Sequence, residues 1–166
     1  MTHGLRFSPV LAALVSACAA AHLPKARPQS ASSGADLIGH WRLISYEDWD
    51  SLGRRTTPYG EQPLGYIRYD ADSTMAVQIM ATPPRPAFAE GEDQGTAAEK
   101  VAAFDAYVAY FGRWVVNAEG QVTHRVTGAL DPTYVGTDQE RPFRVTGDSL
   151  ILGDGRTWRR VFVRVR

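Results

Sequence analysis

Residues 122–143 read VTHRVTGALDPTYVGTDQERPF. Val122, His124 and Val126 alternate with Thr123, Arg125 and Thr127, the period of a strand with one apolar and one wet face. His124 therefore shares a face with two valines. Four roles suit a histidine there: a general base, a metal ligand, the polar lining of a pocket, or a core residue with an internal partner. Alternation alone leaves all four open. Asp131-Pro132 starts a turn, with Asp131 as a cap rather than a catalytic acid.

Working outward, NAEGQ just upstream is a hairpin turn with AYFGRWVV as its other arm. This pairing sets Val116 opposite Val122, Trp114 opposite His124, Gly112 opposite Val126 and Tyr110 opposite Gly128, all on one face. Downstream, a turn at Gly147-Asp148 pairs Val145 with Leu150 and Phe143 with Leu152. Arg141 has the parity of Phe143 and Val145, and a guanidinium on that face needs a partner or water, because a lone buried charge is costly. DLIGHWRLISYE, LGYIRYD and STMAVQIM read as the first three strands, and QERPFRVT, SLILG and TWRRVFVRV as the last three. Tyr46 and Gln78 are further polar candidates, although the apolar residues beside them have the opposite parity.

Eight short strands with closely spaced turns predict an all-β fold, an eight-stranded antiparallel barrel. One segment interrupts them. ATPPRPAFAEGEDQG is a proline-rich, acidic loop that cannot be a central strand. It leads into TAAEKVAAFDAYV, where Thr96 and Glu99 form a capping box and Val101, Phe104 and Val108 follow helical spacing. One short helix is thus expected between the third and fourth strands, behind a loop long enough to serve as a lid.

The start of the chain has a different character. One arginine precedes an apolar run from Phe7 to Val15 and then small residues, the shape of a secretory signal peptide over residues 1–21. The single cysteine, Cys18, lies in VSAC, which resembles a bacterial lipobox and marks Cys18 for lipidation. The rival cut falls after Ala21, in an A-x-A site. Residues 22–35, with PKARPQSASSG, read as a flexible tether, and residues 36–166 as the domain. The expected location is the periplasmic face of the cell envelope for a lipoprotein, or the periplasm or medium for the rival cut. A formal net charge of zero argues against a nucleic-acid partner. No apolar run reaches the roughly 18 residues of a membrane span, so the lipid anchor is the expected membrane contact.

LIGHWRLISYE, PYGEQPLGYIRYDADSTMAVQIM, AYFGRWVV and VTHRVTGALDPTYVGTDQERPFRV, in this order, resemble the lipocalin-like domain family of bacteria and fungi. The resemblance spans nearly all of residues 36–166. It implies a calycin-type eight-stranded barrel with an internal pocket. Gly39-His40-Trp41 is similar to the G-x-W signature at the start of such barrels. That similarity implies a tryptophan plug at the closed end, with Arg159 or Arg160 packed over it. The chain departs from the pattern at Ser73, where glycine is expected in the turn, and at Tyr134, where tryptophan is frequent.

The leading functional expectation is binding of a small apolar or amphipathic molecule, with Tyr46, Gln78, Tyr110, Trp114, His124 and Arg141 lining the pocket. The alternatives are an isomerase or cyclase using His124 as general acid/base, and a barrel filled by its own side chains, a structural lipoprotein. The four histidines, His3, His22, His40 and His124, show no pair spacing typical of zinc sites, so neither a metal nor a cofactor is expected.

Overall fold

A computed structural model describes residues 33–166. The expected signal peptide, Cys18 and most of the expected tether lie outside the described residues. The chain runs α1 (Gly34–Leu37), β1 (Gly39–Trp49), β2 (Arg55–Thr56), β3 (Leu64–Tyr69), β4 (Thr74–Met80), α2 (Ala97–Asp105), β5 (Tyr107–Val116), β6 (Gln121–Ala129), a 3₁₀ turn (Pro132–Tyr134), β7 (Asp138–Thr146), β8 (Ser149–Leu152) and β9 (Trp158–Arg164). The strands follow one another in a single antiparallel sheet, and β9 pairs back onto β1 to close it. Eight strands form the barrel. The two-residue β2 adds to the end of β1 through Asp48–Thr56 and Trp49–Arg55 and lies outside the ring.

That extra strand corrects one expectation. The helix follows the fourth strand, not the third, because Arg55–Thr56 pairs where an uninterrupted loop was expected. A second correction concerns the helix itself. It ends at Asp105, so Val108 belongs to β5, and α2 buries none of its residues. The capping box does form: Thr96 N–H donates to Glu99 Oε2 at 2.8 Å, and Glu99 N–H to the Thr96 hydroxyl at 3.3 Å. Val101 and Phe104 remain 60% and 44% exposed, so α2 leans over one barrel end without entering the core.

Alternation inside the ring follows the sequence pattern. Trp41, Leu43, Ile67, Tyr69, Met75, Val77, Ile79, Val122, Val126, Leu150, Leu152 and Phe162 form one buried cluster. The predicted pairs Val116–Val122, Trp114–His124 and Gly112–Val126 are present, as are Val145–Leu150 and Phe143–Leu152. Beyond Gly112 the register shifts by one, and Tyr110 faces Ala129 instead of Gly128. The cause is a bulge: a Cβ on Gly112 would collide with the Arg125 carbonyl, so the strands come closest where the chain has no side chain. A second bulge lies between Leu43 and Ser45.

At one end the barrel is plugged. Trp41 is wholly buried and its indole N–H donates to the Leu37 carbonyl at 2.7 Å. The guanidinium over it belongs to Arg164, 4.0 Å from the ring centroid, not to Arg159 or Arg160. Arg164 also donates to the carbonyls of Ile38 at 2.7 Å and Asp36 at 2.9 Å, tying the last strand to α1. Gly39 has φ of 143°, and a Cβ there would lie 2.5 Å from Arg164 Nη1, so this cap requires glycine. The β3–β4 turn likewise adopts a glycine-type conformation, with Ser73 at φ 69°.

Candidate functional site

The opposite end is open in its interior. A cavity of about 280 Å³ is bounded by apolar residues of β3 and β4 (Ile67, Val77, Ile79) and by Leu152 and Phe162. Aromatic and polar groups converge on its other side: Tyr46, Tyr110, Tyr134, Gln139, Arg141, Trp158 and Arg160. All but Tyr134, which comes from the 3₁₀ turn, sit on strands. Gln139 and Arg141 share the inward parity of β7 with Phe143, and Trp158 and Arg160 share that of β9 with Phe162. Tyr46 points inward because the bulge before Ser45 shifts the parity of β1, setting Tyr46 opposite Arg160.

Two guanidiniums and Trp158 build the polar wall. Arg160 stacks on Tyr46 with its Cζ 3.2 Å from the ring centroid, and lies 5.3 Å from that of Trp158. Asp48 neutralises it at 2.8 Å, and the Glu47 carbonyl accepts from it at 2.5 Å. Arg141 lies 5.4 Å from the Trp158 centroid. Its donors go to the Glu140 carbonyl at 3.0 Å and Gln139 Oε1 at 3.1 Å. Burial raises the Tyr110 phenol to about 12, opposed by the charge of Arg141. Burial likewise raises Tyr46, against the charge of Arg160, and brings Tyr59 to about 12. All three phenols therefore stay protonated at neutral pH.

Beneath this wall sits His124, with no exposed surface. Its Nε2 is 2.8 Å from the Tyr69 hydroxyl and its Nδ1 is 3.0 Å from the Tyr110 hydroxyl. Burial, with the charge of Arg141, lowers its pKa to about 3, so the imidazole is neutral. Both nitrogens are engaged, and Tyr110 separates the ring from the cavity. His124 thus has the internal partners of a core residue, and reaches the cavity only through Tyr110.

The other candidates divide. Tyr46, Tyr110 and Arg141 meet at the cavity. Gln78 does not: it is exposed, on the opposite face from Val77 and Ile79, because no bulge alters the parity of β4. Trp114 lies toward the plugged end, where its indole N–H donates to the Asp70 carbonyl at 3.0 Å and its ring meets Tyr69 at 5.5 Å. Arg159 points outward and pairs with the buried Glu47 at 2.5 Å, with Arg55 on the other oxygen at 3.0 Å. Burial alone would raise the Glu47 pKa, but these two arginines outweigh it and hold the carboxyl below its usual range. Arg160, expected as a structural residue, is part of the cavity wall. Trp158, Gln139 and Tyr134 went unrecognised, although W-x-R-x-F at 158–162 carried the alternation that would have found the first.

A larger hollow of about 610 Å³ lies outside the barrel, between Pro84–Phe88 and α2, with Met80 and Leu130 beneath it. It is an apolar surface groove. The interior cavity is where charged, hydroxyl and aromatic groups converge, and that convergence makes it the candidate site.

No curated protein matches this chain. The family model described as "Lipocalin-like domain" matches residues 38–161, from the residue before the Gly39-His40-Trp41 cap to the strand that closes the barrel. A closed eight-stranded barrel, plugged by Trp41 and hollow at the other end, carries that match, and the chain belongs to the lipocalin-like domain family.

Proposed function

We propose that this protein binds a small, largely apolar molecule inside the barrel, entering at the end covered by α2 and the proline-rich loop. The observation that carries this reading is the interior cavity, with an apolar wall on β3 and β4 and polar groups concentrated on β7 and β9. Its volume of about 280 Å³ lies just below the range of roughly 300–1,000 Å³ usual for small-molecule sites. A compact ligand suits it better than a long-chain lipid. A second hollow lined by Tyr59, Phe104 and Asp131 shares Tyr46, Tyr110 and Tyr134 with the first, which gives the ligand a route outward between α2 and the 3₁₀ turn. The acid/base reading of His124 has less support, because both ring nitrogens are occupied and the ring is enclosed.

Native mass spectrometry of the purified chain, with solvent extraction of what copurifies, tests this directly. A retained small molecule released on denaturation is the expected result. A protein that neither retains a molecule nor binds any of a panel of compact apolar probes would sink the proposal. We further propose export and anchoring through Cys18. Labelled palmitate incorporation that disappears in Cys18→Ala is expected, and unlabelled wild-type protein would count against it.

A further inference from the structure

The hydrogen bonds below the cavity have a direction. Tyr69 has no exposed surface, and among the described residues the acceptor in reach of its hydroxyl is His124 Nε2 at 2.8 Å. A buried hydroxyl proton without an acceptor forfeits its hydration and a hydrogen bond together. Tyr69 therefore donates and Nε2 accepts. Neutral imidazole carries one N–H, which then sits on Nδ1 and donates to the Tyr110 oxygen at 3.0 Å. The reverse tautomer would orphan the Tyr69 proton. Tyr110 is thus an acceptor toward His124, and its own proton is left to point into the cavity.

Beside it stands a cation of unbalanced charge. Arg141 donates to neutral oxygens, those of Glu140 and Gln139, and also has the Tyr110 oxygen as a neighbour, while among the described residues no carboxylate lies within ion-pair distance of it. The other cavity guanidinium, Arg160, has Asp48 at 2.8 Å. One hydroxyl donor and one unpaired guanidinium therefore face the same volume as an apolar wall. A single negative charge with planar, paired acceptor oxygens matches that set.

Building on the ligand-binding reading above, we propose that the ligand carries a carboxylate, seated against the adjacent Arg141 guanidinium and Tyr110 hydroxyl, with its apolar body against Ile67, Val77 and Ile79. Tyr110 and Arg141 are binding residues in this scheme, and His124 is a positioning residue that fixes which way the Tyr110 hydroxyl points.

The test is isothermal titration of the full chain at neutral pH with decanoate, decanol and decylamine, which share one tail and differ in head group. Decanoate is expected to bind about ten-fold tighter than decanol, the order of one charge-assisted hydrogen-bonded pair, and decylamine more weakly than either. Arg141→Met is expected to bring decanoate to within about two-fold of decanol, and Arg141→Lys to keep part of the preference, since it retains the charge and loses the fork. The three-ligand comparison on the unaltered protein decides the matter even if a variant does not fold. Decanol binding as tightly as decanoate would overturn the carboxylate assignment and leave the ligand-binding reading standing. Failure of all three, together with failure of the neutral fluorophore N-phenyl-1-naphthylamine, would overturn both.

Discussion

Trp41 and Trp158 stand near opposite ends of the barrel, each beside an arginine, and their surroundings differ. Trp41 is wholly buried, and its indole N–H and the two Arg164 Nη groups donate to backbone carbonyls of α1 and the residue after it, with the Asp148 carboxylate 4.0 Å from Arg164 Nε. Trp158 is half-buried and borders empty volume, with Arg141 and Arg160 on it at 5.4 Å and 5.3 Å. Arginine on tryptophan is the same contact in both places. It closes the barrel where the Arg164 Nη donors find carbonyls, and it borders an open cavity where the Arg141 guanidinium has no carboxylate partner among the described residues. The plugged end should therefore carry stability and the open end should carry affinity.

The sharpest way to break this contrast is to truncate the two rings. Trp41→Ala is expected to cost about 3–5 kcal/mol in urea unfolding, the usual penalty for emptying a large aromatic site. Trp158→Ala should cost less than half as much, because solvent already reaches one side. Equal losses would mean that the open end is as much a core as the plug.

The histidine between the two ends gives the next largest effect, with a defined sign. Its folded pKa, about 3, lies below its unfolded value near 6.5, so the unfolded chain takes up a proton first as pH falls. Stability contributed by neutral His124 is complete above pH 6.5 and lost progressively down to about 3. Between pH 6.5 and 5, before most carboxylates titrate, the loss should reach about 2 kcal/mol. His124→Gln should flatten that limb. A slope that persists in the variant would show that another group causes it.

Arginine replacements sharpen the comparison at smaller scale. Arg164→Met is expected to destabilise by about 1–2 kcal/mol through loss of the ring contact and two carbonyl bonds. Arg141→Met should stay within about 0.5 kcal/mol while changing ligand affinity. The reverse assignment of effects would invert the roles given to the two ends. The smallest effect belongs to Gln78→Ala, expected within about 0.5 kcal/mol and without change in binding, since the side chain is outside the barrel. A measurable loss of affinity there would move the site to the outer surface.

Strand existence and the facing of most residues were legible in the chain, because alternation is local. Val122, His124 and Val126 could be set on one face from the sequence alone, and hairpin turns set Val145 opposite Leu150. Tyr46 and Gln78 show where this stops. Both stood out of phase with apolar neighbours; the bulge before Ser45, in the pairing of β1 with β9 more than a hundred residues away in the chain, turned Tyr46 inward, and the regular register of β4 left Gln78 outside. Partners were hidden for the same reason: Tyr69, 55 residues from His124, meets it only when the ring closes. Three arginines near the end of the chain look alike in sequence, and the offset of β9 on β1 alone decided that Arg159 faces solvent, Arg160 the cavity and Arg164 the plug. By itself the sequence determined which residues alternate. Closure of the barrel decided which end each one serves, because register and bulges follow from pairing between strands distant in the chain, and no local pattern encodes it.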